Sequence, residues 1–114
     1  MKVVFCSIVV SLALCGLTGT SASAKPSSVP VWLQQAFYCI HKYEGAWNAN
    51  TGNGYYGGLQ MDYSFMRAYG AEYLRRWGPA HNWPPSIQIA VAARAYYSGR
   101  GFGPWPNTRR MCRL

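Results

Sequence analysis

Only three carboxylates occur in this sequence: Glu44, Asp62 and Glu72. Any acid–base chemistry that needs a carboxyl group must use one of them. Glu72 lies in the Tyr69–Arg76 stretch, where Arg75 or Arg76 can pair with it across one helical turn, so it is expected to be a solvated helix charge. Asp62 precedes an apolar periodic run and is expected to be a helix N-cap. Glu44 has no comparable structural duty. It sits between Tyr43 and Gly45, close to Trp47 and the Tyr55-Tyr56 pair, and its competing role is as a partner for Lys42 or His41. A carboxyl among rings suits the protonation of a leaving oxygen, because apolar walls favour the neutral acid by desolvating the anion. Neighbouring cations push the other way.

Other chemistries lack their residues. No serine has a paired base in a recognisable motif, the Gly-rich loop lacks the lysine of a phosphate cradle, and there is no His-Glu-x-x-His helix. His41 and His81 are the only histidines, and no close Cys-x-x-Cys spacing accompanies them, so neither metal nor cofactor is expected. Aromatic residues make up 16% of the chain, more than so small a core can hide, so some rings should line a cleft. Ring faces stack on sugars, and asparagine and glutamine side chains bind hydroxyl and acetamido groups.

The elements that must position Glu44 follow from periodicity. Leu33, Ala36, Phe37 and Ile40 share one face of a helix, with Trp32, Ala36 and Cys39 extending it sideways. Pro30 fits its first turn and Gly45 its end, which places Glu44 at the helix C-terminus. Residues 48–58 are crowded with glycine and asparagine. Thr51-Gly52-Asn53-Gly54 signals a tight turn and Tyr55-Tyr56 a short strand, so a small β-hairpin is expected. Gly57-Gly58 allows close backbone approach to a helix or a ligand. A second helix is predicted from Asp62 through Leu74, ended by Gly78-Pro79. A third, capped by Ser86, carries Ile87, Ile89, Ala90, Val91, Ala93 and Tyr97. The expected fold is α+β, mainly helical, with one short hairpin after the first helix.

Lys2, the apolar run Val3–Leu17 and Ala22-Ser23-Ala24 form a secretory leader, with cleavage expected after Ala24. The run is short of the ~20 residues a membrane span needs, and Leu14 before Cys15 argues against a lipoprotein. The expected organisation is therefore leader 1–24, flexible lead-in 25–30 and a single exported domain 31–114. So small a domain buries roughly 60% of its unfolded surface, and a staple would help. Cys6 and Cys15 leave with the leader, which leaves Cys39 and Cys112 as a disulfide, as two free thiols or as half a metal site. Eleven Lys/Arg against three Asp/Glu suit an anionic polymer, and export makes nucleic acid the weakest choice.

Tyr43-Glu44-Gly45-Ala46-Trp47, followed by Asn50-Thr51-Gly52-Asn53-Gly54-Tyr55-Tyr56-Gly57-Gly58-Leu59-Gln60, resembles the catalytic core of the resuscitation-promoting factors, lysozyme-like and transglycosylase-like domains of actinobacteria. Gln88-Ile89-Ala90-Val91-Ala92, Trp105-Pro106 and the closing Cys112 continue the resemblance. It implies a lysozyme-like fold, Glu44 as the catalytic acid and a Cys39–Cys112 bridge. It also implies a saccharide cleft formed around Trp47, Asn50, Thr51, Tyr55, Tyr56 and Gln60. One departure stands out: the family commonly carries its glutamate directly after the first cysteine, whereas here Ile40, His41, Lys42 and Tyr43 intervene.

The activity so implied is cleavage of peptidoglycan glycan strands between N-acetylmuramic acid and N-acetylglucosamine, by anhydro-ring closure or by hydrolysis. The partners expected are those strands and a second wall hydrolase, for a monomer that binds no nucleic acid and does not insert stably in membranes. The rival from another class is a cationic wall-binding or signalling module without catalysis.

Overall fold

The stripe Leu33, Ala36, Phe37 and Ile40 is buried on the inner face of the first helix, α1 (Val31–Glu44), in the computed structural model, which describes residues 28–114. The expected leader lies outside the described residues. The Pro30 carbonyl starts α1 by accepting from Leu33 and Gln34, and Gly45 ends it by returning its N–H to His41. Trp32 does not extend the core face. It is exposed and packs edge-on against Tyr96, because consecutive helical side chains diverge around the axis and its neighbour Leu33 takes the buried position in that turn.

Asp62 caps the next helix as expected: its Oδ1 accepts from the Phe65 N–H at 2.8 Å. The predicted single helix is instead two, α2 (Tyr63–Tyr69) and α3 (Ala71–Trp77), broken at Gly70. The break is a packing requirement. A Cβ on Gly70 would lie 2.9 Å from Trp83 and 3.0 Å from Val91, so only glycine lets the backbone approach that wall. A short 3-10 turn (Ala80–Asn82) leads to α4 (Pro85–Ala95). Here Pro85 opens the helix rather than Ser86 capping it. Proline is preorganised for the first turn and has no N–H to leave unpaired there. A wide π-type turn (Tyr96–Arg100) and a closing helix α5 (Thr108–Met111) complete the chain.

The expected hairpin is absent, and no strand forms among the described residues. Two isolated bridges stand in its place, Asn50 with Tyr56 and Tyr56 with Met61. The backbone turns at Gly52, Gly54, Gly57 and Gln60, all with positive φ, so no two consecutive residues stay extended long enough to propagate a ladder. The fold is mainly helical.

The core gathers Phe37, Phe65, Phe102 and Trp105, with Phe37 edge-on to both Phe102 and Trp105 at 5.6 and 5.2 Å between centroids. Cys39 and Cys112 form a disulfide, Cα–Cα 6.0 Å, that ties α5 to α1. Glu72 pairs with Arg94 of α4 rather than with Arg75 or Arg76. Both carboxylate oxygens meet the guanidinium at 2.9 Å, and Arg94 also donates to the Tyr69 carbonyl. The planar guanidinium fork held by that carbonyl offers a two-point match that the flexible neighbours on the same helix lack. No helix among the described residues is long and apolar enough to cross a membrane.

Two predictions follow from these tethers. Reducing the disulfide, which closes a separation of 73 residues, should cost about 4 kcal/mol of stability; urea melts with and without reductant measure it. The Arg94 side chain, its hydrogen bond first, holds Glu72 below the usual carboxylate range. The pair's contribution is therefore complete above the unfolded carboxylate pKa and is lost as pH falls through the lower folded value. Both side chains are about half exposed (43% and 50%), which screens the pair to less than about 1 kcal/mol. Melts of wild type and Glu72→Gln should differ slightly at neutral pH and converge in strong acid.

Candidate active site

Glu44 is the last residue of α1, and Gly45 releases the chain immediately after it. Its side chain is half-buried. The buried Thr108 hydroxyl of α5 donates to Glu44 Oε2 at 2.8 Å, across 64 residues of sequence. The Cys39–Cys112 bridge sets up this contact, because it clamps α5 against α1 a little over one turn before Glu44. Glu44 Oε1 has no protein hydrogen-bond partner among the described residues. The carboxyl is thus held on one oxygen and available on the other.

The loop facing it, Gly57–Gln60, is fixed from behind by buried donors and acceptors. Gln88 of α4 is fully buried, and its Oε1 accepts from the Gly58 N–H at 2.8 Å. Its Nε2 donates to the carbonyls of Trp47 (2.9 Å) and Trp83 (3.0 Å). Trp105 Nε1 donates to the Leu59 carbonyl at 2.8 Å, and His41 Nδ1 lies 3.2 Å from the Gly58 carbonyl, a bond for the tautomer protonated there. The glycine pair serves these protein neighbours. A Cβ on Gly57 would sit 2.5 Å from Gln88 Oε1, and one on Gly58 would sit 2.4 Å from the Trp47 ring.

Gln60 carries the loop around to the site with a φ of 49°, a left-handed conformation uncommon outside glycine. Its Nε2 donates to the Gly57 carbonyl at 2.9 Å, and the same amide lies in van der Waals range of the space beside Gly45. On its other side Gln60 lines a cleft of about 450 Å³, together with Tyr55, Asp62, Tyr69, Arg100 and Trp105. Glu44 is not in the cleft wall; Gln60 is the cleft residue that also reaches the backbone beside Gly45, next to Glu44.

The remaining candidates are dispersed. Tyr55 joins Gln60 in the cleft and is 47% exposed, whereas Thr51 lies out in solvent at the loop tip. Trp47 is partly buried, stacked on His41 at 3.8 Å and edge-on to Tyr38. Tyr56 packs between Tyr63 and His81, and Asn50 Nδ2 reaches toward His81 Nε2 at 3.5 Å. The buried Nδ1 of His81 has no partner among the described residues. Asp62 spends Oδ1 on its cap, and Glu72 is taken by Arg94. Cys39 and Cys112 are joined and offer no thiolate ligand.

Sequence reasoning did not find Thr108 as the partner of Glu44, nor Gln88 as the anchor of the loop. Thr108 carries no local signal. Gln88 does, as a lone amide inside the otherwise apolar run Ile87–Ala93.

A family model described as the Transglycosylase-like domain matches residues 40–108, a stretch bounded closely by the two bridged cysteines and containing both Glu44 and Thr108. The chain is similar to resuscitation-promoting factor Rpf1 of Corynebacterium glutamicum, 42% identical over 86 residues, covering 75% of this chain and 40% of that protein. It is similar to resuscitation-promoting factor Rpf of Micrococcus luteus, 36% identical over 102 residues, covering 88% and 42%. RpfE of Mycobacterium tuberculosis is 42% identical over 62 residues, covering 54% and 33%. The chain thus spans between a third and a little over two fifths of the length of these relatives.

The loop anchor is directly testable. Gln88→Leu keeps the volume but strands the Gly58 N–H and two carbonyls, at about 1–3 kcal/mol for each buried group. The expected loss is at least ~3 kcal/mol in urea unfolding, with faster amide exchange at Gly58. A change within about 0.5 kcal/mol, the size of an ordinary surface substitution, would show that something else holds the loop.

Proposed function

Given that the chain belongs to the transglycosylase-like domain family, we propose that it is an exported enzyme that cleaves peptidoglycan glycan strands between N-acetylmuramic acid and N-acetylglucosamine. Residues 31–114 form its catalytic domain, and Glu44 is the general acid. One observation carries the assignment of the acid. Asp62 is engaged by the first turn of the helix it caps and Glu72 by Arg94 on both oxygens, whereas Glu44 has no such structural duty and is oriented at the end of α1 by Thr108, a side chain 64 residues away.

The mechanism uses one carboxyl. Glu44 gives its proton to the glycosidic oxygen as the C1–O bond breaks, and the N-acetylglucosamine leaves as an alcohol. The acetamido oxygen of the muramic residue closes on C1 and carries the positive charge. Glu44, now a carboxylate, takes the proton from the C6 hydroxyl as that oxygen displaces the acetamido group. A 1,6-anhydro ring forms and the acid is restored. Water in place of the C6 hydroxyl would give hydrolysis and a reducing end. Glycosidases with two carboxylates use the second as nucleophile or base. Asp62 lines the neighbouring cleft, but its cap already engages one of its oxygens. Thr108 acts as a positioning residue, limiting the rotation of the carboxyl, while Gln60 and Tyr55 supply amide and ring contacts for the saccharide.

The decisive comparison is wild type against Glu44→Gln on purified peptidoglycan, with soluble fragments identified by mass spectrometry. Loss of general acid catalysis typically costs about 10²–10⁴-fold, so fragment release should fall at least ~100-fold while the melting curve stays in place. Anhydromuramoyl ends are the expected wild-type product. Full activity in Glu44→Gln would remove Glu44 from the chemistry. A folded wild type that binds the wall and releases nothing would favour a binding module instead.

A further inference from the structure

Arg100 is the cation of the cleft, and its placement is closely specified. It sits at the end of the π-type turn between Gly99 (φ 108°) and Gly101 (φ 54°), two positive-φ conformations that glycine adopts without steric cost. Its guanidinium lies 5.8 Å from the centre of the Phe65 ring and 5.9 Å from that of Tyr69, both residues of the cleft wall. No carboxylate pairs with it among the described residues, where the ion pair present is Arg94–Glu72.

The polar groups beside it are oriented in a compatible way. Ser98 Oγ lies 2.7 Å from the Ala95 carbonyl and donates its hydrogen there, so the Tyr69 hydroxyl, 3.3 Å away, must donate to Ser98. That leaves the Tyr69 oxygen facing its cationic neighbour as an acceptor. A face of two rings beside an unpaired, solvent-accessible guanidinium is a receptor for a planar anion, which the fork can meet with two hydrogen bonds. Neutral sugar hydroxyls alone would not call for such a charge.

We infer that the cleft on the far side of Gln60 is an acidic-substituent subsite, in which Arg100 binds a carboxylate carried by the muramic residue next to the scissile bond. The inference rests on the peptidoglycan reading above and extends it to substrate selection. Muramic acid bears such groups in two forms: the lactyl carboxylate when the peptide stem is missing, and the stem's own carboxylates when it is present. A cavity of about 450 Å³ falls in the range that encloses a small-molecule group of that size.

The test measures binding by calorimetry in a Glu44→Gln background, so that no probe is consumed. Three glycan probes are used: a stem-bearing muropeptide tetrasaccharide, the same glycan stripped by an amidase to expose its lactyl carboxylates, and neutral chitotetraose. Adding Arg100→Gln should weaken at least one anionic probe ten-fold or more relative to chitotetraose. Arg100→Lys should recover part of that difference, and the affected probe identifies the carboxylate. Equal affinities with and without Arg100, equal losses on all three probes, or no binding of either anionic probe before Arg100 is changed would each overturn the subsite. The peptidoglycan reading fails separately, if folded wild type releases no fragments from purified peptidoglycan.

Discussion

The side-chain amide of Gln88 joins three stretches of backbone that are remote in sequence: it accepts from Gly58 and donates to Trp47 and Trp83. Both atoms of the amide are used, and the residue is wholly buried. In a low-dielectric interior such a group is costly unless every partner is present, and specific in geometry once they are. The Gly57–Gln60 loop is closed at its base by the single Tyr56–Met61 bridge, and its seat against the core is set by Gln88 from α4 and by Trp105 reaching the Leu59 carbonyl.

The glycine pair is the other half of this constraint. Gly57 and Gly58 are needed because the Gln88 amide and the His41–Trp47 stack occupy the volume where their Cβ atoms would stand. The loop can then press against α1 and α4, with Gln60 beside Gly45 at the end of α1 and, with Tyr55, in the wall of the cleft. Trp47, prominent among the candidates for stacking on sugar, is committed in part to this internal stack. Aromatic residues thus divide between those that shape the loop and those, such as Tyr55, left facing solvent.

The disulfide and the carboxyl site form a second linked unit. The bridge holds α5 to α1, and α5 brings Thr108 to Glu44. A small domain with few layers behind Glu44 gains rigidity at that point by covalent closure, where a larger one would rely on packing. The same economy is seen in Arg94, which joins α4 to both Glu72 and the Tyr69 carbonyl across the break at Gly70.

What the sequence determined by itself was what depends on neighbours within a turn or two. The inner stripe of α1, its end at Gly45 and the Asp62 cap were legible because periodicity and capping are local, and the three carboxylates could be ranked by the roles their neighbours allowed. The tertiary structure decided the rest. It broke the second helix at Gly70 to admit Trp83 and Val91, sent Glu72 to Arg94, and replaced the expected hairpin by a turn-rich loop held from behind. It also brought Thr108 to Glu44 across 64 residues. Each of these outcomes depends on which distant groups compete for the same space or the same hydrogen bond, and no local pattern encodes that competition.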